Sequence, residues 1–215
     1  MEGWPPPAHP GYDAGKRALD IVVAVLGLGM LSPIWLLVGA LVRATSPGPA
    51  LHRGRVVGRR GREFTYYKFR SMRPGDSTSH EAWLGEYVKG EAAPTDGTGF
   101  KRVELDRVTP VGRVLRRFSV DEVPQLLNVL AGQMSVVGPR PPLVAEYRHY
   151  DESTSRRLAV LPGITGLYQV TARSRVPFSR MLEIDLDYIR RRSLALDVAL
   201  MLRSIGAVLG GRGAG

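Results

Sequence analysis

The longest feature in the pattern of apolar and polar positions is "IVVAVLGLGMLSPIWLLVGALV", Ile21 to Val42, in which no side chain is charged. As one straight helix it would reach roughly 33 Å, against about 30 Å for the hydrocarbon core of a bilayer. Ser32-Pro33 interrupts it midway. Pro33 has no N–H for the carbonyl of Gly29 and its ring clashes there, so the pattern predicts a break between two arms of about 11 residues, each roughly 16 Å long. A carbonyl opened in lipid needs a partner, and the Ser32 hydroxyl could supply one. Two geometries fit the break: a kinked spanning helix, or a re-entrant hairpin that enters and leaves on one side. Lys16 and Arg17 precede the run, and Arg43, Arg53, Arg55, Arg59, Arg60 and Arg62 follow it. Basic residues on both flanks suit the hairpin, because positive charge stays on the cytoplasmic side. A cleaved signal peptide fits poorly, since the stretch is long and basic residues follow "ALVRATSPGPA" at once.

Before this run, residues 1–15 with "WPPPAHPG" read as a flexible Pro-rich tail; after it, "TSPGPA" is turn chemistry. "RVVGRRGREFTYYKF" then alternates as two short strands around Gly58-Arg59-Arg60-Gly61, with Phe64, Tyr66 and Lys68 on one face. Residues 74–99 are rich in Gly, Ser and Thr around a short helical pattern from Trp83 to Val88, and are expected to form an insertion or lid. Beyond Asp106 the periodicity is helical, punctuated by "VGPRPP" and "LPGITG", and Phe178 to Leu209 predicts two helices meeting near Arg192-Ser193. The fold class is therefore α+β and mainly helical, with one small β-hairpin.

The 215 residues are enough for one domain with a real core and an appendage. There is no cysteine, which excludes disulfides, thiolate nucleophiles and Cys-based zinc sites. The four histidines, His9, His52, His80 and His149, show no metal-ligand spacing. A formal charge of +10 suits nucleic acid, an anionic membrane surface or phosphorylated small substrates, or simply a solvated surface.

Against that positive background, "SVDEVPQLLNVLAGQMSVVGPRPP" places two carboxylates side by side, Asp121 and Glu122. Ser119-Val120-Asp121-Glu122 satisfies the S-x-x-E capping box, which accounts for both without any chemistry. Pro124 complicates that account: with Ser119 as N-cap it loses a helix bond, and with Asp121 as N-cap it sits among the unbonded amides at no cost. In either case Asp121 is expected to face the positive end of a helix, ionised and available as a nucleophile, with Glu122 as a like charge beside it. Arg113, Arg116 and Arg117 precede the pair, and Arg140 follows in "GPRPP" between stiffening prolines. Arginine forks match phosphate oxygens, and a carboxylate attacking a diphosphate needs such cations, usually with a divalent metal. These ingredients fit phosphoryl transfer.

In combination, "KRALDIVVAVLGLGMLSP", "YYKFRSM", "SVDEVPQLLNVLAGQMSVVGPRPP" and "LPGITGLYQV" resemble the bacterial sugar transferases known as monotopic phosphoglycosyl transferases, in the family's order and from Lys16 to about Ser204. The resemblance implies transfer of a sugar 1-phosphate from a nucleotide diphospho-sugar, usually uridine-linked, to a polyprenyl phosphate such as undecaprenyl phosphate. This step begins lipid-linked glycan assembly for exopolysaccharide, capsule or glycoprotein. It implies that Asp121 forms a phosphosugar-aspartyl intermediate with release of UMP, and that Glu122 assists, in metal binding or acceptor activation. Magnesium is the implied metal, at Asp121 and Glu122. Arg140 would bind phosphate, Lys68 and Arg70 of "KFR" would line the site, and Arg173 and Asp185 fall on further motif positions, Asp185 with Tyr188 in the family's acidic-aromatic tail. The family's Ser-Pro break is re-entrant, so the resemblance favours the hairpin. It implies residues 16–45 as a membrane hairpin, residues 46–215 as a compact catalytic domain facing the cytosol, and a monotopic place on the bacterial cytoplasmic membrane among its lipids.

Some positions depart from the family pattern. Gly54 and Val56 stand where Q-x-R is common, Gln133 replaces the Asp of G-D-M-S, and Thr171-Ala172 replaces N-G. The chain also lacks the extra N-terminal helices of longer members and is expected to be a minimal version. The basic run "RGRVVGRRGR" comes with no zinc finger, no clear helix-turn-helix and few interleaved aromatics, so nucleic acid is not an expected partner. Two other readings need only the apolar run and the arginines: a membrane-anchored basic module that binds lipid or nucleic acid, and an inactive structural subunit of a glycan assembly complex.

Overall fold

The structure is a computed structural model that describes residues 4–30, 32–75, 78–91, 107–172 and 176–210. The apolar run forms two helices, α1 (Tyr12–Met30) and α2 (Ser32–Thr45), bent by 65° at the expected break. Pro33 falls in the first turn of α2, where a missing N–H costs no helix bond. The indole of Trp35 donates to the Gly27 carbonyl across the break at 3.0 Å. The arms are longer than the pattern predicted, because α1 starts at Tyr12, well before the apolar run. Among the described residues no single helix is long and apolar enough to cross a membrane, but the bent pair meets that length and composition together.

The front half of α1 belongs to the domain. Asp20 is buried, and its Oδ1 accepts from the Val136 amide at 2.9 Å and the Ser135 hydroxyl at 3.0 Å. Ala24 joins a core with Val56, Phe64, Val129, Met134, Val137, Tyr188, Ile189 and Leu200. The expected boundary near residue 46 is therefore no seam in the packing. The tail is also placed against the domain: the Trp4 indole donates to the Arg156 carbonyl at 2.9 Å, and Arg192 donates to the Pro6 carbonyl at 2.6 Å.

Strands β1 (Leu51–Val57) and β2 (Glu63–Phe69) form the expected antiparallel hairpin, with Val56 opposite Phe64, Gly54 opposite Tyr66 and His52 opposite Lys68. Its turn needs positive φ at Arg60 and Gly61, 60° and 75°. Helix α3 (Thr78–Lys89) occupies the described part of the expected lid. Its Trp83, Leu84 and Tyr87 are buried with Tyr168, Phe178 and Met181 in a second core, and residues 92–99 of the expected lid lie outside the described residues. Helix α4 (Pro110–Arg117) leads through a 3₁₀ turn, Val120–Gln125, into α5 (Leu126–Leu130). Strand β3 (Ser135–Val137) follows, then short helices α6 (Val144–Tyr147) and α7 (Glu152–Ser155). Strand β4 (Gly163–Thr165) pairs parallel to β3, a two-stranded sheet the sequence pattern did not announce. The chain ends in α8 (Leu167–Thr171), α9 (Phe178–Arg191) and α10 (Leu194–Leu209). The last two meet as expected at Ser193, whose hydroxyl caps α10 by accepting from the Leu196 amide at 3.2 Å.

Most of the exposed large apolar side chains lie on three helices, Ile21, Val22, Val25, Leu26 and Met30 of α1, Ile34, Leu36, Leu37 and Leu41 of α2, and Leu194, Val198, Leu202 and Ile205 of α10, with Val114 of α4 and Leu127 and Leu130 of α5 besides.

Candidate active site

The site is assembled where the turn after α4 meets the end of β2. Thr109 caps α4, its hydroxyl accepting from the Gly112 amide at 2.9 Å, and Pro110 occupies the first helical position. Gly112 lies against β2's continuation so closely that a Cβ would sit 1.9 Å from the Ser71 carbonyl oxygen. After Arg117 the chain reverses through Ser119, whose φ of 50° is left-handed, and enters the 3₁₀ turn. The capping box is consequently not made: Ser119 provides no side-chain cap, and Pro124 is accommodated by the tighter 3₁₀ turn. A left-handed non-glycine residue costs about 1 kcal/mol or more, and such strain gathers at functional turns.

This turn points Asp121 inward. Its carboxylate is 4% exposed, and Oδ2 accepts from the Lys68 ammonium at 3.3 Å. The countercharge for Asp121 is thus a lysine from β2, where the sequence had suggested a helix end. Burial disfavours the charge on Lys68, yet Asp121, Tyr66 and Glu122 outweigh it against the opposing Arg140, and the Lys68 pKa is raised above its ordinary value. Lys68 and Asp121 are thus in contact, Glu122 is next to Asp121 in the chain, and the charges of Glu122 and Arg140 act on Lys68.

Asn128 of α5, which sequence reading missed, fixes the strand that carries Lys68. Its amide donates to the Thr65 carbonyl at 2.7 Å, and its Oδ1 accepts from the Tyr67 amide at 3.2 Å. It serves the open edge of β2 as a third strand would. Gln133, one of the departures from the family pattern, accepts from the same Asn128 amide at 2.8 Å. An asparagine inside the apolar "LLNVL" was the available signal.

The other expected residues are placed differently. Arg70 is buried and donates to the Ser46 carbonyl at 2.7 Å, fastening the turn between α2 and β1. Asp185 is buried on α9 and accepts from Arg157 at 2.5 Å, so it is an ion-pair partner in the interior. Burial raises its pKa, while Arg157 lowers it in part. Arg173 lies outside the described residues. Arg140 is held by its loop: the Gly138 amide donates to the Thr165 carbonyl at 2.8 Å, the Gly163 amide to the Pro139 carbonyl at 2.9 Å, and the Val57 amide to the Pro142 carbonyl at 2.9 Å. Arg157, also missed, donates to the Arg140 carbonyl at 3.1 Å. Nothing in "STSRRLAVLPG" separates it from the other arginines.

Among the described residues no group of three or more His, Cys, Asp or Glu could hold a metal ion. Asp121 and Glu122 are adjacent carboxylates, a donor set that suits Mg²⁺, which takes one or two protein carboxylates and fills its shell with water and substrate phosphate.

A buried carboxylate beside a lysine, a second carboxylate next to it and an arginine on a proline-stiffened loop form a charged cluster whose chemistry suits phosphate groups. The chain belongs to the bacterial sugar transferase family, whose model matches residues 11–211. It is 38% identical over 201 residues to the exopolysaccharide production protein ExoY of Sinorhizobium fredii, covering 92% of this chain and 87% of that protein. It is 38% identical over 207 residues to a UDP-glucose:undecaprenyl-phosphate glucose-1-phosphate transferase of Xanthomonas campestris pv. campestris, covering 93% and 40%. To an undecaprenyl-phosphate galactose phosphotransferase of Salmonella typhimurium it is 36% identical over 196 residues, covering 90% and 40%. The chain spans less than half the length of these last two proteins.

Proposed function

We propose that the chain transfers a sugar 1-phosphate from a UDP-sugar to undecaprenyl or another polyprenyl phosphate through a covalent intermediate on Asp121. The observation that carries this reading is the buried Asp121 carboxylate held at 3.3 Å by Lys68, with Glu122 next in the chain and the Arg140 charge acting on the same lysine. An oxygen of Asp121 attacks the phosphorus that bears the sugar, and the bond from that phosphorus to the bridging oxygen breaks. UMP leaves with that oxygen and its electron pair. An oxygen of the polyprenyl phosphate then attacks the same phosphorus, the Asp121–phosphorus bond breaks, and the carboxylate is restored with a polyprenyl diphospho-sugar as product. Lys68 keeps Asp121 oriented and ionic in a buried site. Arg140 offers paired N–H groups to the donor's phosphate oxygens as charge moves between them. Asp121 and Glu122 would hold Mg²⁺, which when bound neutralises diphosphate charge.

The bent pair α1–α2 is the membrane element of this reading, re-entrant from the cytoplasmic face. Its exposed apolar side chains, continued by Val198, Leu202 and Ile205 of α10, would lie in lipid, with the site above them facing the cytosol. A polyprenyl phosphate presents its head group at that level, and the dissolved UDP-sugar arrives from the other side.

The test is UMP release by the detergent-purified chain with UDP-sugars, Mg²⁺ and undecaprenyl phosphate. Release should require metal and disappear in Asp121→Asn. Unchanged release in that variant removes Asp121 from the chemistry, and no release with any UDP-sugar favours the binding-module or subunit readings. The chain has no cysteine, so His9→Cys and Arg53→Cys report topology by labelling; opposite-side labelling eliminates the re-entrant geometry.

A further inference from the structure

Arg157 is 1% exposed, and the transfer chemistry above does not use it. One face of its guanidinium serves two elements at once: Nη2 donates to Asp185 of α9 at 2.5 Å and to the Arg140 carbonyl at 3.1 Å. Its Nη1 donates to the Tyr150 hydroxyl at 2.6 Å and lies 3.6 Å from Glu146, to which Tyr150 in turn donates. Two buried carboxylates thus surround one buried cation.

The loop above this cluster is unusual in how it can be fastened. In Pro139-Arg140-Pro141-Pro142 three residues lack an N–H, so the segment is held chiefly by its carbonyls. Pro139 and Pro142 offer theirs to backbone amides of Gly163 and Val57. Of the two carbonyls between them, that of Arg140 is held by a side chain from the interior.

We propose that Arg157 is a positioning residue: a buried strut, braced by Asp185, Glu146 and Tyr150, that sets the height and direction from which Arg140 meets the donor's phosphate. This rests on the assignment of Arg140 to phosphate made above. A buried ion cluster is a poor way to gain stability, since packed apolar residues of similar volume do as well or better. A planar fork with donors at fixed angles is a good way to hold three oxygens in register, and lysine has no equivalent geometry.

The experiment is a double-mutant cycle on donor-dependent UMP release, with Arg140→Ala as the second axis. Arg140→Ala alone should cost roughly 30-fold, the scale of one charge-assisted contact. Arg157→Lys should cost about tenfold with Arg140 present and less than about twofold in the Arg140→Ala background, as coupled residues require. The same cycle is run with Asp185→Asn and Tyr150→Phe, which keep side-chain shape and remove one brace each. They decide the matter on their own where Arg157→Lys fails to fold. Their smaller losses should likewise vanish without Arg140. Equal losses in both backgrounds, or none in either, overturn the strut and leave the phosphate role of Arg140 standing. No loss in Arg140→Ala itself removes that role, and the strut with it.

Discussion

Replacing Asn128 tests whether one side chain acts as the missing neighbour of β2. Asn128 is 1% exposed, and in Asn128→Ala the Thr65 carbonyl and the Tyr67 amide both lose their partner. An unsatisfied buried group costs about 1–3 kcal/mol. Thr65 and Tyr67 are half-buried, so water reaches them in part and the lower end applies to each. Together with the small cavity left by the amide, the expected loss is about 2–4 kcal/mol. For a chain of this size that corresponds to a melting shift of roughly 5–15 °C. Asn128→Asp is the sharper variant. It can still accept from the Tyr67 amide but sets a carboxylate against the Thr65 carbonyl, so at pH 7 it should be no more stable than Asn128→Ala. The assay is thermal unfolding in detergent, paired with UMP release, which should fall about tenfold as Lys68 loses its fixed strand. A shift under about 2 °C for Asn128→Ala, or wild-type stability in Asn128→Asp, refutes the clamp.

Two further outcomes follow from the same neighbourhood. Lys68→Met leaves Asp121 buried without its cation, and discounted for the partial exposure of Lys68 it should cost about 2 kcal/mol and most of the UMP release. Because the folded Lys68 pKa lies above its ordinary 10.5, this contribution is fully present below that pH and is lost as pH rises through the folded value. The stability difference between wild type and Lys68→Met should therefore stay constant from pH 7 to about pH 9.5, and a difference that shrinks across this window contradicts the pairing. Gly112→Ala places a methyl group 1.9 Å from the Ser71 carbonyl, so the helix carrying Arg113 to Arg117 must shift away from β2. It should destabilise by about 2 kcal/mol or more by denaturant titration, and a neutral result would mean that α4 does not press on Ser71.

What could be read beforehand follows from how local each signal is. The hairpin was legible because Phe64, Tyr66 and Lys68 alternate and the Gly58–Gly61 turn sits between two such runs. The α1–α2 break was legible because proline acts on its own helix. The β3–β4 pair was not, since each strand has only three residues and its partner comes from a distant part of the chain. Tyr12 fell within the expected tail and Lys16 among the basic residues before the apolar run, yet with Asp20 and Ala24 they lie at four-residue steps on one face of α1, the face that packs on the domain. The helix of residues 78–89 looked like a lid because its flanks are rich in Gly, Ser and Thr, while the burial of Trp83 and Tyr87 depends on Phe178 and Met181 far along the chain. At the site, the Asp121–Glu122 pair was visible in sequence, but its local pattern by itself favoured a helix cap over chemistry. The deciding contact, Lys68 to Asp121, joins residues from different elements, as do Asn128 to β2 and Arg157 to Arg140.

The stripe on α1 also explains how the proposed membrane element and the proposed transfer site can keep a fixed relation. Arg17 donates to the carbonyls of Val129 and Leu130 at 2.6 and 2.8 Å, closing the end of the helix that follows Asp121. Asp20 accepts from Val136, in the strand that leads to Arg140. Tyr12 and Lys16 donate to Asp197 of α10 at 3.0 and 2.8 Å. One helix is therefore bonded to the Asp121 side of the site, to the Arg140 side and to α10. From Asp20 to Met30 it runs a further 15 Å or so, about half a hydrocarbon core, with apolar side chains turned outward. A helix bonded in this way cannot move along its axis without carrying both halves of the site along. On the proposed reading, the depth at which its apolar face settles would set the height of Asp121 above the bilayer, where the acceptor's head group would meet it.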